Sequence, residues 1–201
     1  MKIAVLASGS GTILRSIMEH KIPIELVLAD KECQALRIAS EAANPIELID
    51  RREFGYKPDI GEDWDREGFT RTVVQMLIMY DIDIVAMAGF GTIMHPVILE
   101  TYQKRVLNIH PALLPDFKGE HAVRDALAAG VAMTGTTIHI ATEEVDDATY
   151  ILAQAKVPVL DGDDEKTLHE RIKVQERELY PRVLRDILDG TINLDEVEAR
   201  S

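Results

Sequence analysis

The sequence is poor in cysteine and in positive charge. A single cysteine, Cys33, excludes an intramolecular disulfide and a zinc site built from several cysteines. The chain has 22 Lys plus Arg against 35 Asp plus Glu, which leaves a formal net charge of −13 at pH 7. This acidic balance argues against a broad nucleic-acid surface or an anionic membrane face, while it leaves room for a local basic pocket.

Long apolar runs are also absent. No run approaches the ~18 residues of a membrane-spanning helix, and the apolar run at the N-terminus is too short for the core of a signal peptide. An apolar share of 46% with 28% charged residues is typical of a globular chain rather than a disordered one. We therefore expect a cytoplasmic protein with neither nucleic acid nor membrane among its partners.

Short apolar runs alternate with longer amphipathic segments along the first half of the chain. Strand candidates lie at 3–7, 24–29, 45–49, 82–88 and 106–109. Segments with helical spacing separate most of them, and this order predicts an α/β fold with a mostly parallel, Rossmann-like sheet flanked by helices. A short helix with Pro96 in its first turn is expected over 93–103.

The second half of the chain has a different pattern. Two strand candidates, 136–141 and 151–159, are joined by an acidic turn and predict an antiparallel pair. A long helix is expected over 164–189, with Pro181 marking either a kink or a boundary. Because no linker interrupts the pattern, we expect one domain over 1–189 and a frayed C-terminal tail over 190–201.

A glycine-rich loop, Ser8–Thr12, follows the first strand and opens a helix. Glycines let the main chain approach a phosphate, and a helix N-terminus offers free N–H groups. The third glycine of the dinucleotide fingerprint is missing, because position 14 is Leu14. We interpret the loop as a phosphate cradle, with an ordinary tight turn as the alternative.

Asn108 and His110 stand at the end of a strand, where ligands of open α/β sheets bind. Since side chains alternate along a strand, both point to one face and can hold an oxygen and move a proton. A histidine bound to a loop carbonyl is the structural alternative. His139 lies on a later strand, with a structural and an active-site role both open. No histidine pair has the spacing of a catalytic zinc site, and no metal is expected.

Three stretches together resemble a known family, the glycinamide ribonucleotide (phosphoribosylglycinamide) formyltransferases of the folate-dependent formyltransferase superfamily. The likeness covers residues 1–185 in order and spacing. It is carried by Ala7–Thr12, Ala88–Phe90 and Asn108–Pro115, and the tract Val157–Val159 and the C-terminal helix also match. The resemblance implies the formyltransferase fold and transfer of a formyl group from 10-formyltetrahydrofolate to the amino group of glycinamide ribonucleotide, in de novo purine biosynthesis.

The resemblance also implies roles for individual residues. Asn108 would hold the formyl oxygen, and His110 would act as general acid or as the charged partner of the oxyanion. An Asp in the acidic turn would raise the pKa of His110. Gly11, Thr12 and Ile13 would line the phosphate site, and Glu176 would contact the glycinamide end. The folate site would comprise Arg66, Gly91, Thr92, Ile93, Met94 and Asn108. The co-substrate is then 10-formyltetrahydrofolate, with no metal, and a homodimer is left open.

The chain departs from the family pattern at two places. The acidic turn reads Asp146-Asp147-Ala148-Thr149, without the usual glycine and with one residue inserted. Counting from His139 favours Asp146 as the catalytic acid, whereas counting back from the later strand favours Asp147; we prefer Asp146. Gly91-Thr92 replaces the methionine and basic residue that the family usually carries.

Other functions stay open at this point. The departures allow a formyltransferase paralogue that uses another amine or another formyl donor. An inactive nucleotide-binding protein with a Rossmann-like fold is a further alternative, since Asp30 ends the second strand where a ribose-binding acid would stand.

Overall fold

The computed structural model describes residues 1–58 and 63–200. The chain divides into two compact units, Met1–Val106 and Leu107–Ser201. In the described part of the chain, none of the helices combines the length and the apolar character that a membrane crossing requires.

The first unit is built on parallel strands with helices between them. Its strands are β1 (Ile3–Leu6), β2 (Leu26–Ala29), β3 (Ile46–Leu48) and β4 (Ile84–Met87). Its helices are α1 (Thr12–Glu19), α2 (Gln34–Glu41), α3 (Arg66–Met79) and α4 (Ile98–Thr101), with a 3₁₀ helix at Arg51–Phe54. Strand β1 pairs in parallel with both β2 and β4, and β2 pairs in parallel with β3. All residues of β1 and β2 are buried, as continuous apolar runs predict for parallel strands covered on both faces.

The second unit carries the antiparallel strands. Its elements are β5 (Val106–His110), α5 (Ala122–Ala128), β6 (Met133–Ile140), β7 (Ile151–Pro158) and α6 (Glu165–Leu188). Strand β6 runs antiparallel to both β5 and β7, and the β6–β7 register shifts between Ile138 and His139. The strand order is β3-β2-β1-β4 within the first unit and β5-β6-β7 within the second. The predicted fold class, a mostly parallel sheet with an antiparallel pair toward the C-terminal half, is confirmed.

Helix α6 begins at a capping box and continues through its proline. The Asp164 side chain accepts from the Thr167 N–H, and the Thr167 hydroxyl accepts from the Asp164 N–H. Pro181 lies inside the helix, which ends only at Leu188, so of the two roles left open for Pro181 a helix boundary is excluded. The predicted C-terminal tail is partly packed, because Leu194 is only 4% exposed.

Helix α4 is shorter than predicted. It spans four residues, Ile98–Thr101, and Pro96 lies before its first residue rather than in its first turn. The N–H of His95 donates to the Thr70 hydroxyl oxygen, 3.0 Å away, so the chain before Pro96 bonds to a side chain of α3 instead of forming a helical turn.

Candidate active site

Strand pairing brings Asn108 and His139 together in the second unit. The two residues are directly opposed in the β5–β6 ladder, and opposed side chains of an antiparallel pair lie on the same face. The Asn108 amide nitrogen lies 3.2 Å from His139 Nε2. The structure thus brings His139 to the site, although the sequence left its role open. The signal was available in part, since His139 lies on the face opposite Ile138 and Ile140.

Asp146 joins this pair from the acidic turn. It adopts a left-handed main-chain conformation, with φ of 51°, and its side chain is only 8% exposed. One carboxylate oxygen accepts from the Asn108 amide at 3.2 Å, and the other accepts from the Gly119 N–H at 2.9 Å. The second oxygen also lies 3.2 Å from His110 Nδ1. Asn108, His110, His139 and Asp146 therefore form one polar cluster, in which Asn108 is half-buried and the other three side chains are buried.

Asp147 faces elsewhere. Its carboxylate accepts from the Thr142 hydroxyl at 3.0 Å and from the Thr149 N–H at 3.1 Å, which closes the acidic turn on itself. Of the two aspartates that the sequence left in competition, Asp146 is the one that contacts His110.

Both ring nitrogens of His110 face oxygen atoms. Nδ1 meets Asp146, and Nε2 lies 2.7 Å from the Phe117 carbonyl oxygen. A protonated ring donates to both, whereas a neutral ring has one N–H and keeps one of the two bonds. Burial nevertheless lowers the pKa of His110, although Asp146 and the Phe117 carbonyl raise it. The aspartate thus raises the pKa as expected, but the net pKa lies below the ordinary value because desolvation outweighs the neighbouring carboxylate.

Asp146 is held in its ionised form by its neighbours. Burial raises the pKa of this carboxyl, but the nearby His139 ring at 3.7 Å, the charge of His110 and the Gly119 N–H together lower it by more. The net result is a pKa below the ordinary value of an aspartate. An ionised carboxylate at this place can orient the imidazole of His110 and stabilise its charged form.

Glu176 is a second buried acid of the same unit. It lies on α6 and is only 5% exposed. Burial raises its pKa to about 7, even though a hydrogen bond with Thr136 lowers it. The Thr136 hydroxyl oxygen lies 3.1 Å from the His110 carbonyl oxygen, so its single hydrogen can be donated either to that carbonyl or to the Glu176 carboxylate. The side chain of Thr136 therefore connects Glu176 to the main chain of His110.

In the first unit, the glycine loop has the geometry of an uncapped helix start. Gly11 is the N-cap of α1 with φ of 69°, and a glycine has no side chain to occupy the free N–H groups of the first turn. A Cβ at Gly11 would lie 2.9 Å from the Ala35 Cα, so the loop needs a glycine for space as well as for conformation. Thr12 is half-buried and Ile13 is buried.

The predicted folate residues lie on two elements of the first unit. Arg66 is the first residue of α3 and is half-buried. Gly91, Thr92, Ile93 and Met94 follow β4, and within this segment Ile93 is half exposed whereas the Thr92 side chain is buried. The Gly91 N–H donates to the Ser8 hydroxyl oxygen at 2.7 Å, so this segment is bonded to the glycine loop.

Asp30 is already occupied by protein groups. Its Oδ2 atom accepts from the Thr92 hydroxyl and lies 3.2 Å from Arg51 Nη1. Its side chain is fully buried. This arrangement counts against a ribose-binding role in a dinucleotide site. Arg51, which no sequence motif marks, was not predicted to belong to any site.

Binding of a metal ion requires several ligating side chains that lie close together. Among residues 1–58 and 63–200, no group of three or more His, Cys, Asp or Glu side chains could hold a metal ion.

Comparison with known proteins gives a consistent result. The family model described as formyl transferase matches residues 1–184. The chain is 42% identical over 183 residues to a phosphoribosylglycinamide formyltransferase of Mycobacterium tuberculosis, covering 89% of this chain and 80% of that protein. It is 36% identical over 200 residues to the phosphoribosylglycinamide formyltransferase of Escherichia coli, covering 98% and 91%. The crystal structure of glycinamide ribonucleotide transformylase 1 from Symbiobacterium toebii superposes with a TM-score of 0.88 at 33% identity, covering 100% of this chain and 93% of that one.

Proposed function

Because this chain belongs to the formyl transferase family, with phosphoribosylglycinamide formyltransferases among its relatives, we propose that it formylates the amino group of glycinamide ribonucleotide with 10-formyltetrahydrofolate. The chain is a formyl-transferring enzyme of purine biosynthesis. The observation that carries the specific reaction is the cluster of Asn108, His110 and Asp146, in which one carboxylate contacts both an amide and an imidazole.

The chemistry needs donors aimed at a developing negative charge. The substrate amine attacks the formyl carbon, and the carbonyl oxygen becomes an oxyanion. The bond between the formyl carbon and N10 of the folate then breaks, N10 takes up a proton, and the amine loses one. A preorganised donor to such an oxyanion contributes roughly 3 kcal/mol. We assign this task to the Asn108 amide and to the imidazole of His110.

His110 must change partners to take part. In the structure its Nε2 atom is bonded to the Phe117 carbonyl, so that atom reaches the substrate oxygen only when the carbonyl is displaced. The contact between Asp146 and His110 Nδ1 is retained during this change and fixes the plane of the ring. In this proposal Asp146 is the orienting acid, and the closed turn around Asp147 supports that choice.

The ribonucleotide site is assigned to two groups of residues. Gly11, Thr12 and Ile13 at the start of α1 would bind the phosphate through main-chain N–H groups, as uncapped helix starts do. Glu176 would meet the glycinamide amine. With a pKa of about 7, it can accept a proton from an ammonium group close to neutral pH.

The folate site is assigned to Arg66 and to the segment Gly91–Met94, together with Asn108. The Thr92 hydroxyl is bonded inside the protein, so Thr92 would contribute its main chain. Main-chain recognition makes the loss of the family's basic residue at this place tolerable.

We further propose that residues 1–189 act as one formyltransferase domain, with 190–201 as its tail. The family model supports this division, since it runs through residues 1–184. The partners are then small molecules of the cytoplasm. A homodimer remains a proposal that sedimentation can test.

A turnover assay tests the proposed reaction directly. Purified protein is given 10-formyltetrahydrofolate and glycinamide ribonucleotide, and deformylation of the folate is followed by absorbance. Turnover that requires the ribonucleotide supports the proposal. Turnover without any amine would indicate a hydrolase, and turnover only with a different amine would indicate a paralogue with another substrate.

A further inference from the structure

A buried ion pair lies just after β2. The Asp30 side chain is fully buried and Arg51 is only 13% exposed, and their charged atoms are 3.2 Å apart. The N–H of Arg51 also donates to the Asp30 carbonyl oxygen at 3.1 Å, so the two residues are joined through main chain and side chain. The Arg51 guanidinium stacks over the ring of Tyr56 at 3.9 Å. These contacts hold the guanidinium in one orientation.

Thr92 is the third member of this network. Its hydroxyl donates to Asp30 Oδ2 and accepts from Arg51 Nη1 at 3.0 Å. A threonine hydroxyl has one hydrogen to donate, and here the carboxylate takes it. The side chain is 6% exposed. Thr92 is therefore turned into the protein and connects the segment after β4 to the ion pair.

Two further side chains hold the same segment. The Ser8 hydroxyl accepts from the Gly91 N–H at 2.7 Å, and the Thr70 hydroxyl accepts from the His95 N–H at 3.0 Å. The segment 91–95 is thus bonded to the glycine loop, to the Asp30–Arg51 pair and to α3. No regular secondary structure fixes residues 91–95, so these side chains determine the path of the main chain.

We propose that Arg51 is a positioning residue for folate binding: together with Asp30 it holds Thr92, and so fixes the main chain of Gly91–Met94 in the form that receives the folate. The inference rests on the proposed function, which assigns this segment to the folate. The charge of Asp30 is compensated mainly by Arg51, because the other carboxylate oxygen, Oδ1, is buried without a hydrogen-bond partner among the described residues. Removing Arg51 alone then leaves a buried carboxylate unpaired, whereas removing both charges does not.

The test compares Arg51→Met with the double variant Asp30→Asn/Arg51→Met. Arg52→Met is the matched control, because Arg52 is the next residue and its guanidinium bonds to Asp50 at the surface. Each variant is assayed for kcat and for KM of both substrates. Hydrogen exchange of the peptide spanning 89–97 is measured in the free protein.

We expect Arg51→Met to raise the KM for 10-formyltetrahydrofolate by about tenfold or more while kcat changes less than about threefold. Exchange at 91–95 becomes faster, the double variant returns toward wild type in both measurements, and Arg52→Met changes neither. Arg51→Lys should have a smaller effect on folate KM and on exchange than Arg51→Met, since lysine keeps the charge but lacks the planar guanidinium.

If Arg51→Met does not fold, Thr92→Val is assayed instead for folate KM and for hydrogen exchange of the same segment. It removes the hydroxyl at nearly constant volume, and Thr92→Ser, which keeps the hydroxyl, should rescue folate KM and exchange.

Three results would overturn the inference. Arg51→Met could match Arg52→Met in both measurements, or the double variant could be as impaired as the single one. Faster exchange with an unchanged folate KM would separate the segment from folate binding. If wild type shows no formyl transfer at all, the proposed function fails instead, and hydrogen exchange still reports whether Arg51 fixes the segment.

Discussion

Replacing Asp146 by asparagine should abolish most turnover, because an amide cannot satisfy the donors around this side chain. One carboxylate oxygen accepts from the Asn108 amide, and the other accepts from the Gly119 N–H and faces His110 Nδ1. An asparagine has one oxygen and one NH₂ group. Whichever way the amide is turned, its NH₂ group meets a donor.

The size of the effect follows from these contacts. Hydrogen bonds to a charged acceptor contribute about 1.5–3 kcal/mol each, and two of them are lost or opposed in Asp146→Asn. If about 4 kcal/mol of this is lost from the transition state, kcat falls by roughly a thousandfold. Asp147→Asn is the matched control. Its amide can still accept from the Thr149 N–H and donate to the Thr142 hydroxyl, so kcat should change by less than about threefold.

The assay is formyl transfer at saturating substrates, with urea unfolding of each variant to separate activity from stability. A thousandfold loss in Asp146→Asn, with Asp147→Asn near wild type, supports the assignment. The reverse order would show that the turn is aligned one residue wrongly. Equal and small effects would refute the orienting role of a carboxylate at His110.

Three further predictions concern stability and proton binding. Glu176 has a pKa raised to about 7, so the folded state holds a proton that the unfolded state releases near pH 4.5. Stability should therefore fall by about 3 kcal/mol as pH rises between these values, and urea unfolding of Glu176→Gln should lack this slope. Gly11→Ala should destabilise the protein by about 2 kcal/mol or more and weaken ribonucleotide binding, whereas Gly9→Ala, where no heavy atom lies within 4 Å of the added methyl group, should leave the stability measured by calorimetry near wild type. NMR titration should place the His110 pKa below the ordinary ~6.5 of imidazole, and a higher value would show that Asp146 outweighs burial.

Much of the fold could be predicted from hydrophobic pattern alone. Strands β1, β2 and β4 are continuous apolar runs, and their burial on both faces makes such runs unambiguous. Helix α4 was predicted too long, because the main-chain N–H groups of Gly91 and His95 bond to hydroxyls from distant parts of the chain. Such partners leave no local pattern in the sequence.

The site was predictable where it depends on strand period, and not where it depends on a turn. Asn108 and His110 share a face because side chains alternate along β5. The choice between Asp146 and Asp147 depends on one left-handed residue in a turn, which spacing does not specify. The sign of the His110 pKa shift depends on burial, and burial competes with the carboxylate only once the fold is known.

The two buried acids of the second unit show how burial alone does not decide protonation. Asp146 accepts from a main-chain N–H and an amide and contacts two imidazoles, and its pKa falls. Glu176 has a hydrogen bond with Thr136, and its pKa rises to about 7. When the pKa values of two acids are shifted in opposite directions, one acid stays ionised while the other can exchange a proton near neutral pH. An amine that attacks a formyl carbon needs both, since the oxyanion requires a fixed, oriented donor and the ammonium form of the substrate must lose a proton before it can attack.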